Sequence, residues 1–250
     1  MKERKPNILN RREFLKISGT FIAGMAFPEI LYQGVPYISH GDRNSNKVAL
    51  TIDDGWNSDI VESAMEILED DPASFFIVGN RIANKPEIYK EAIKSGFEIH
   101  NHTWSHNYLN DPDTNISYEI LNWEHTYNSL DMGKYKNKVL RPPANEGVND
   151  PILYSILEKY GYKAVIGWSY GSPGVYRNYT KDDVVDFILP KLEGGDIVLM
   201  HFTQTDIDAL PEIIREVKHR RLELVGLSKM PGIPIYIKEK ENSNEIHKQS

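Results

Sequence analysis

The sequence predicts an α/β protein with a single folded domain, a distorted seven-unit (β/α) barrel with parallel strands. Three observations carry that expectation. Short β-branched and aromatic runs alternate with segments of helical period from residue 48 to residue 225. The runs are apolar throughout rather than at every second position, as strands covered on both faces are. Conspicuous polar residues stand just after the runs, where a β/α barrel gathers its active site. An open doubly wound sheet is the alternative arrangement of the same elements.

Taken in order, the first strand is Val48-Ala49-Leu50-Thr51-Ile52, ended by Asp53-Asp54-Gly55. Residues 59–70 follow as a helix with Ile60, Ala64, Ile67 and Leu68 on one face. Residues 74–78 are a second strand, closed by Gly79-Asn80, and residues 86–94 a helix stopped at Gly96. Residues 97–99 form a short third strand leading into a histidine-rich loop, and a long helix covers 116–131. Val139-Leu140 is the fourth strand, broken by Pro142-Pro143, and residues 151–160 are a helix with proline in the first turn. Residues 164–166 form the fifth strand, 181–192 a helix, 197–200 the sixth strand, 210–219 a helix and 222–225 the seventh strand.

Ahead of this pattern, Arg11-Arg12 precede Phe14-Leu15-Lys16 and a mild apolar run over 17–27. Residues 1–27 resemble a twin-arginine export signal, with Gly24-Met25-Ala26 as a cleavage region. That resemblance implies the twin-arginine translocase as partner and export to the cell envelope or beyond, with the segment either cleaved or kept as an N-terminal anchor, and membrane contact only through this segment. Residues 28–46, with Pro28, Gly34, Pro36 and Gly41, read as a linker, 47–236 as the folded domain, and 237–250 as a charged tail. The chain has no cysteine, which excludes disulfides and thiolate metal sites, and its net charge of −7 excludes a basic nucleic-acid face.

The polar groups repeat one placement. Asp53 and Asp54 follow the first strand, His102 and His106 the third, Arg141 the fourth, Trp168 the fifth and His201 the sixth. Adjacent side chains on an extended chain point to opposite sides, so Asp53 and Asp54 flank one centre in different roles. The His-x-x-x-His spacing places two imidazoles on one helical face. Two histidines and a carboxylate suffice for a divalent metal that keeps a position open to water.

These segments together resemble the polysaccharide deacetylase family, the NodB-homology carbohydrate esterases of family 4. Its first motif is matched by Thr51-Ile52-Asp53-Asp54-Gly55, its second by His102-Thr103-Trp104-Ser105-His106, its third by Arg141-Pro142-Pro143 and its fifth by Leu199-Met200-His201. The resemblance runs over about residues 47–228. It implies that His102, His106 and Asp54 hold one divalent metal, zinc by ligand type, although cobalt, nickel, iron and manganese suit the same atoms. It implies Asp53 as general base, Arg141 as the group that keeps Asp53 charged, the Ala144 N–H as an oxyanion donor and His201 as general acid. Trp104 and Trp168 would wall the pocket. The implied activity is removal of N-acetyl or O-acetyl groups from a polysaccharide or oligosaccharide. Cleavage of another carbon–nitrogen bond, as in a cyclic amide or formamide, and a catalytically weakened carbohydrate-binding protein are the alternatives.

Two departures stand out. Ala144-Asn145 replaces the Tyr-Gly that usually continues the third motif. The fourth motif, an aspartate followed by Asp-Trp that orients the catalytic histidine, is missing: no acidic residue follows Trp168 until Asp182. His201 is then a weaker acid, or pairs with Asp206 or Asp208, or serves a different substrate.

Overall fold

The computed structural model describes residues 34–172 and 179–235. The twin-arginine segment, the first part of the expected linker and the charged tail lie outside the described residues. The strands are β1 (Tyr37–Ile38), β2 (Lys47–Asp54), β3 (Ser74–Ile77), β4 (Glu98–Asn101), β5 (Val139–Leu140), β6 (Ala164–Ile166), β7 (Tyr170–Gly171), β8 (Ile197–His201) and β9 (Glu223–Leu224). They interleave with α1 (Ser58–Leu68), α2 (Gly79–Asn84), α3 (Pro86–Lys94), α4 (Ile116–Asn128), α5 (Pro151–Lys159), α6 (Lys181–Ile188) and α7 (Gln204–His219).

All named strand pairs are parallel, in the order β1-β6-β5-β4-β3-β2-β8-β7, with β9 beside the start of β2. β6 stands next to one end of that order and β7 at the other, yet only residues 167–169 separate them in sequence. The chain itself therefore carries the sheet round on itself. Gly167 N–H donates to Ile38 O on one side, and Ser169 N–H donates to Ile197 O on the other. The result is the expected barrel, irregular where β6 passes into β7.

Strand β2 is buried at six consecutive positions. Its alternation sorts them. Leu50 and Ile52 join the larger cluster under the helices, whereas Ala49 joins a smaller one with Phe76, Val139, Ala164, Ile166 and Ile197. Thr51 and Asp53 share the face of Ala49 and so turn into the barrel. That period of two delivers Asp53 to the interior with no special local device.

Three expectations need correction. Within the stretch read as a linker, Val35 is buried and β1 pairs with β6, so its described part belongs to the barrel. β1 stands between Pro36 and Gly41 and β7 runs into the Gly171–Gly174 stretch, so neither two-residue strand had a repeat to set against its turn residues. The last long helix begins at Gln204, not 210, capped by Thr203, whose side chain accepts from Asp206 N–H. Pro211 lies inside it, and the buried face Ile207, Leu210, Ile213, Ile214 and Val217 holds the helix together across the lost hydrogen bond. Helix α2 starts at Gly79, which the strand pattern marks only as the close of β3.

Candidate active site

The ends of β2, β4, β5 and β8 converge on one rim. Pairing of Asp53 with His201 across β2 and β8, and of Asn101 with Leu140 across β4 and β5, sets Asp53 beside His201 and His102 beside Arg141.

Arg141 is wholly buried inside the barrel. Its Nη1 donates to Asp53 Oδ1 at 2.7 Å and to Thr51 Oγ1 at 2.9 Å. Its Nε donates to Ile166 O at 3.0 Å and Nη2 to Gly167 O at 2.9 Å, while Phe76 lies flat beneath the guanidinium at 4.0 Å. Burial pulls the Arg141 pKa below its usual value, and the Asp53 carboxylate offsets only part of that. With Oδ1 engaged, the Asp53 Oδ2 faces His102 Nε2 at 3.7 Å.

Asp54 lies at φ 86°, a left-handed backbone that a non-glycine residue occupies at a cost of about 1–3 kcal/mol. The twist breaks the strict alternation of the strand, so both carboxylates come close to His102. Asp54 Oδ1 is 3.4 Å from His102 Nε2 and 3.1 Å from His106 Nε2. The two histidines do not share a helical face as expected. Thr103 and His106 are both left-handed, at φ 64° and 66°, and the segment is a loop. Side chains replace the helical hydrogen bonds: Asn101 Oδ1 accepts from Thr103 N–H, Thr103 Oγ1 from His106 N–H, and the buried Glu119 carboxylate from Ser105 N–H and Oγ–H.

Asp54, His102 and His106 form a metal-capable group whose donor atoms all lie within 4.8 Å of one another. Bonds of about 2.0–2.1 Å at tetrahedral angles place ligand atoms about 3.3 Å apart, which the 3.1 and 3.4 Å separations match. His102 Nδ1 is 2.7 Å from Arg141 O and donates to it, which leaves the Nε2 lone pair facing two carboxylates. Two acceptors and a lone pair pointed at one spot repel unless a cation lies between them. Without a metal, a proton on Nε2 takes that place and makes His102 a donor to the carboxylates. Burial pulls His102 down, but Asp53 and then Asp54 outweigh it and hold its proton more tightly than usual. Burial likewise pushes Asp54 up, and the hydrogen bonds from His102 and His106 bring it far below the carboxylate range.

The remaining expected residues divide. Trp168 is half-buried, packs on the inner cluster and has the Arg141 guanidinium 5.7 Å from its ring centre, which places it beside the Arg141–Asp53 pair. Ala144 is exposed at the same rim, left-handed at φ 52°. Trp104 instead packs on the start of α2, where a Cβ on Gly79 would lie 2.6 Å from its ring. Trp56, passed over in the sequence, takes the open position. It is 48% exposed, meets His106 edge-on at 5.4 Å and carries the Arg81 guanidinium at 4.6 Å. Its place directly after Asp-Asp-Gly was the available signal.

At His201, Asp208 is exposed and accepts from Gln204, while Asp206 is completely buried. Asp206 Oδ2 lies 3.8 Å from His201 Nδ1.

Comparison with known proteins follows the same segments. The family model for polysaccharide deacetylase matches residues 40–165. A peptidoglycan-N-acetylglucosamine deacetylase of Bacillus cereus is 27% identical over 194 residues, which cover 75% of this chain and 89% of that one. The crystal structure of the Bc1960 peptidoglycan N-acetylglucosamine deacetylase superposes with TM-score 0.70 at 28% identity, over 78% of this chain and 92% of that chain. A family 4 pseudoenzyme of Bacillus anthracis shares the fold at TM-score 0.70 and 22% identity, over 77% of this chain and 68% of that chain.

Proposed function

Because the chain belongs to the polysaccharide deacetylase family, we propose that it is an exported, metal-dependent hydrolase that removes N-acetyl groups from the amino sugars of peptidoglycan. The observation that carries this reading is the meeting of three parts at one rim. They are a metal-capable trio, a carboxylate fixed by a buried arginine, and a histidine on the strand alongside. Binding a glycan requires neither the second nor the third. The relatives that act on peptidoglycan supply the substrate class.

Asp54, His102 and His106 would hold the ion, zinc in this reading. When bound, it supplies Lewis acidity that brings the pKa of a water towards 7 and polarises the acyl oxygen. Asp53 takes the proton of the attacking water through Oδ2, because Oδ1 is committed to Arg141. Arg141 keeps that carboxylate ionised and aimed. The Ala144 N–H donates to the oxygen that gains charge as the acetamide carbon becomes tetrahedral. His201 gives a proton to the departing nitrogen, without which the amide re-forms. Trp56 and Trp168 border the sugar. Free amine and acetate result.

Acetate release from N-acetylated peptidoglycan fragments by zinc-loaded protein tests the reading. Asp53→Asn should lower turnover by at least about 100-fold, the span of a lost general base. Full turnover by that variant, or no acetate release from any acetylated glycan by the wild-type protein, would refute it.

A further inference from the structure

The family's orienting aspartate is missing after Trp168, yet a carboxylate stands at His201 all the same. Asp206 comes from the other side, out of the first turn of α7, and is completely buried. Its Oδ2 accepts two short hydrogen bonds, from Ser172 Oγ–H at 2.5 Å and from His201 N–H at 2.7 Å. Its Oδ1 is buried without a partner, and so is His201 Nδ1. The imidazole and the carboxylate are neighbours, with Nδ1 3.8 Å from the Oδ2 that already accepts from Ser172 and the His201 N–H. Among the described residues no lysine or arginine pairs with Asp206, and His201 is its one ion-pair neighbour.

Helix capping does not account for this arrangement. A capping carboxylate at the third helical position turns back to the N–H of the cap residue. Here the N–H of the cap, Thr203, goes to His201 O instead, and the Asp206 side chain leaves the helix for His201 and Ser172. A carboxylate buried without a lysine or arginine gains most from a proton-bearing imidazole alongside it.

Resting on the deacetylase reading, we propose that Asp206 is the positioning residue of His201, taking from α7 the part of the carboxylate missing after Trp168, with Ser172 fixing its orientation. A side-chain adjustment of about 1 Å closes the gap to hydrogen-bond length. Asp206 then accepts the His201 Nδ1–H and leaves Nε2 towards the cleft. When the carbon–nitrogen bond breaks, the nitrogen takes the Nε2 proton and the Nδ1 proton stays with the dyad. Solvent reprotonates Nε2 and removes the proton held by Asp53, so the net reaction is amide plus water to amine plus acetate.

The leaving group separates this role from a structural one. An acetamide needs a proton on its nitrogen, whereas 4-nitrophenyl acetate expels a stable phenolate. In zinc-loaded protein, Asp206→Asn should lower the ratio of acetamide to nitrophenyl ester turnover by at least about tenfold, a modest share of a general acid's contribution. An unchanged ratio, whether both rates fall together or neither falls, would overturn the proposal. Nitrogen-15 NMR of wild-type His201 gives a second reading independent of any variant. A protonated Nδ1 is expected, and a neutral ring carrying its proton on Nε2 would overturn it. Wild-type protein that releases no acetate from either substrate would instead sink the deacetylase reading on which the dyad rests.

Discussion

Arg141 ties three strands together inside the barrel, and breaking that tie has a calculable consequence. Its four hydrogen bonds reach Thr51 and Asp53 on β2, Ile166 on β6 and Gly167 just beyond. At 2.7 Å and an effective dielectric constant of about 20, the attraction to Asp53 is about 6 kcal/mol before desolvation is subtracted. Removing one partner of such a buried pair typically costs about 3–5 kcal/mol, because the other charge is left uncompensated. Arg141→Met should therefore destabilise the metal-free protein by about 4 kcal/mol. For a domain of this size that corresponds to a fall in Tm of about 8–16 °C. Asp53→Asn should cost a similar amount. The double variant has no stranded charge, so its loss should fall short of the sum of the singles by at least about 2 kcal/mol. Urea unfolding followed by tryptophan fluorescence, with unchanged m-values, reads all four corners of the cycle. Additivity within about 0.5 kcal/mol would show that the two charges do not depend on each other, and the placement of Asp53 by Arg141 would fall with it.

Three further outcomes follow from other parts of the molecule. Burial pushes the Glu98 carboxyl up, but the His100 hydrogen bond and charge and the Ser228 and Ser74 hydroxyls bring it to about 2 from 4.5. A depressed carboxyl stabilises the fold above its unfolded value and loses that contribution as pH falls towards the folded one, so Glu98→Gln should cost about 3 kcal/mol at pH 7 and progressively less between about pH 5 and pH 2; a pH-independent difference in urea midpoints would contradict this. Trp56→Ala should raise KM for peptidoglycan fragments about fivefold with a smaller change in kcat, the size of one lost aromatic contact, and an unchanged KM would remove Trp56 from the substrate path. Arg11→Lys together with Arg12→Lys should hold the protein in the cytoplasm, as fractionation would show, and normal export of that variant would refute the twin-arginine assignment.

The legible part of this protein was the part governed by periodicity. The apolar runs of β2 and β8 named the strands, and their ends named Asp53, Asp54 and His201. Alternation put Asp53 and Asp54 on opposite sides, but in a run apolar throughout it did not say which side was the interior, which the packing of Ala49 and Phe76 decides. Backbone twists were not legible, because Asp54, Thr103 and His106 take left-handed angles that tertiary contacts impose. His-x-x-x-His therefore looked helical although its donors meet through a loop held by Asn101 and Glu119. Very short strands such as Tyr37–Ile38 were hidden for want of a repeat. Exposure was hidden too: Trp56 and Trp104 both adjoin expected metal ligands, and sequence position alone does not say that the first is exposed at the rim and the second packs beside Gly79. Asp206 was recognisable only as one of two choices, and burial decided between them.

The account stands or falls on whether Asp54, His102 and His106 share one ion. Zinc titration of metal-stripped protein, followed by calorimetry and by metal content after gel filtration, measures this directly. One zinc per chain is expected, with Asp54→Ala and His106→Ala each weakening binding beyond the about 10–100-fold typical of an outer partner. Wild-type protein that takes up no divalent metal, or variants that bind it as tightly as the wild type, would contradict the account.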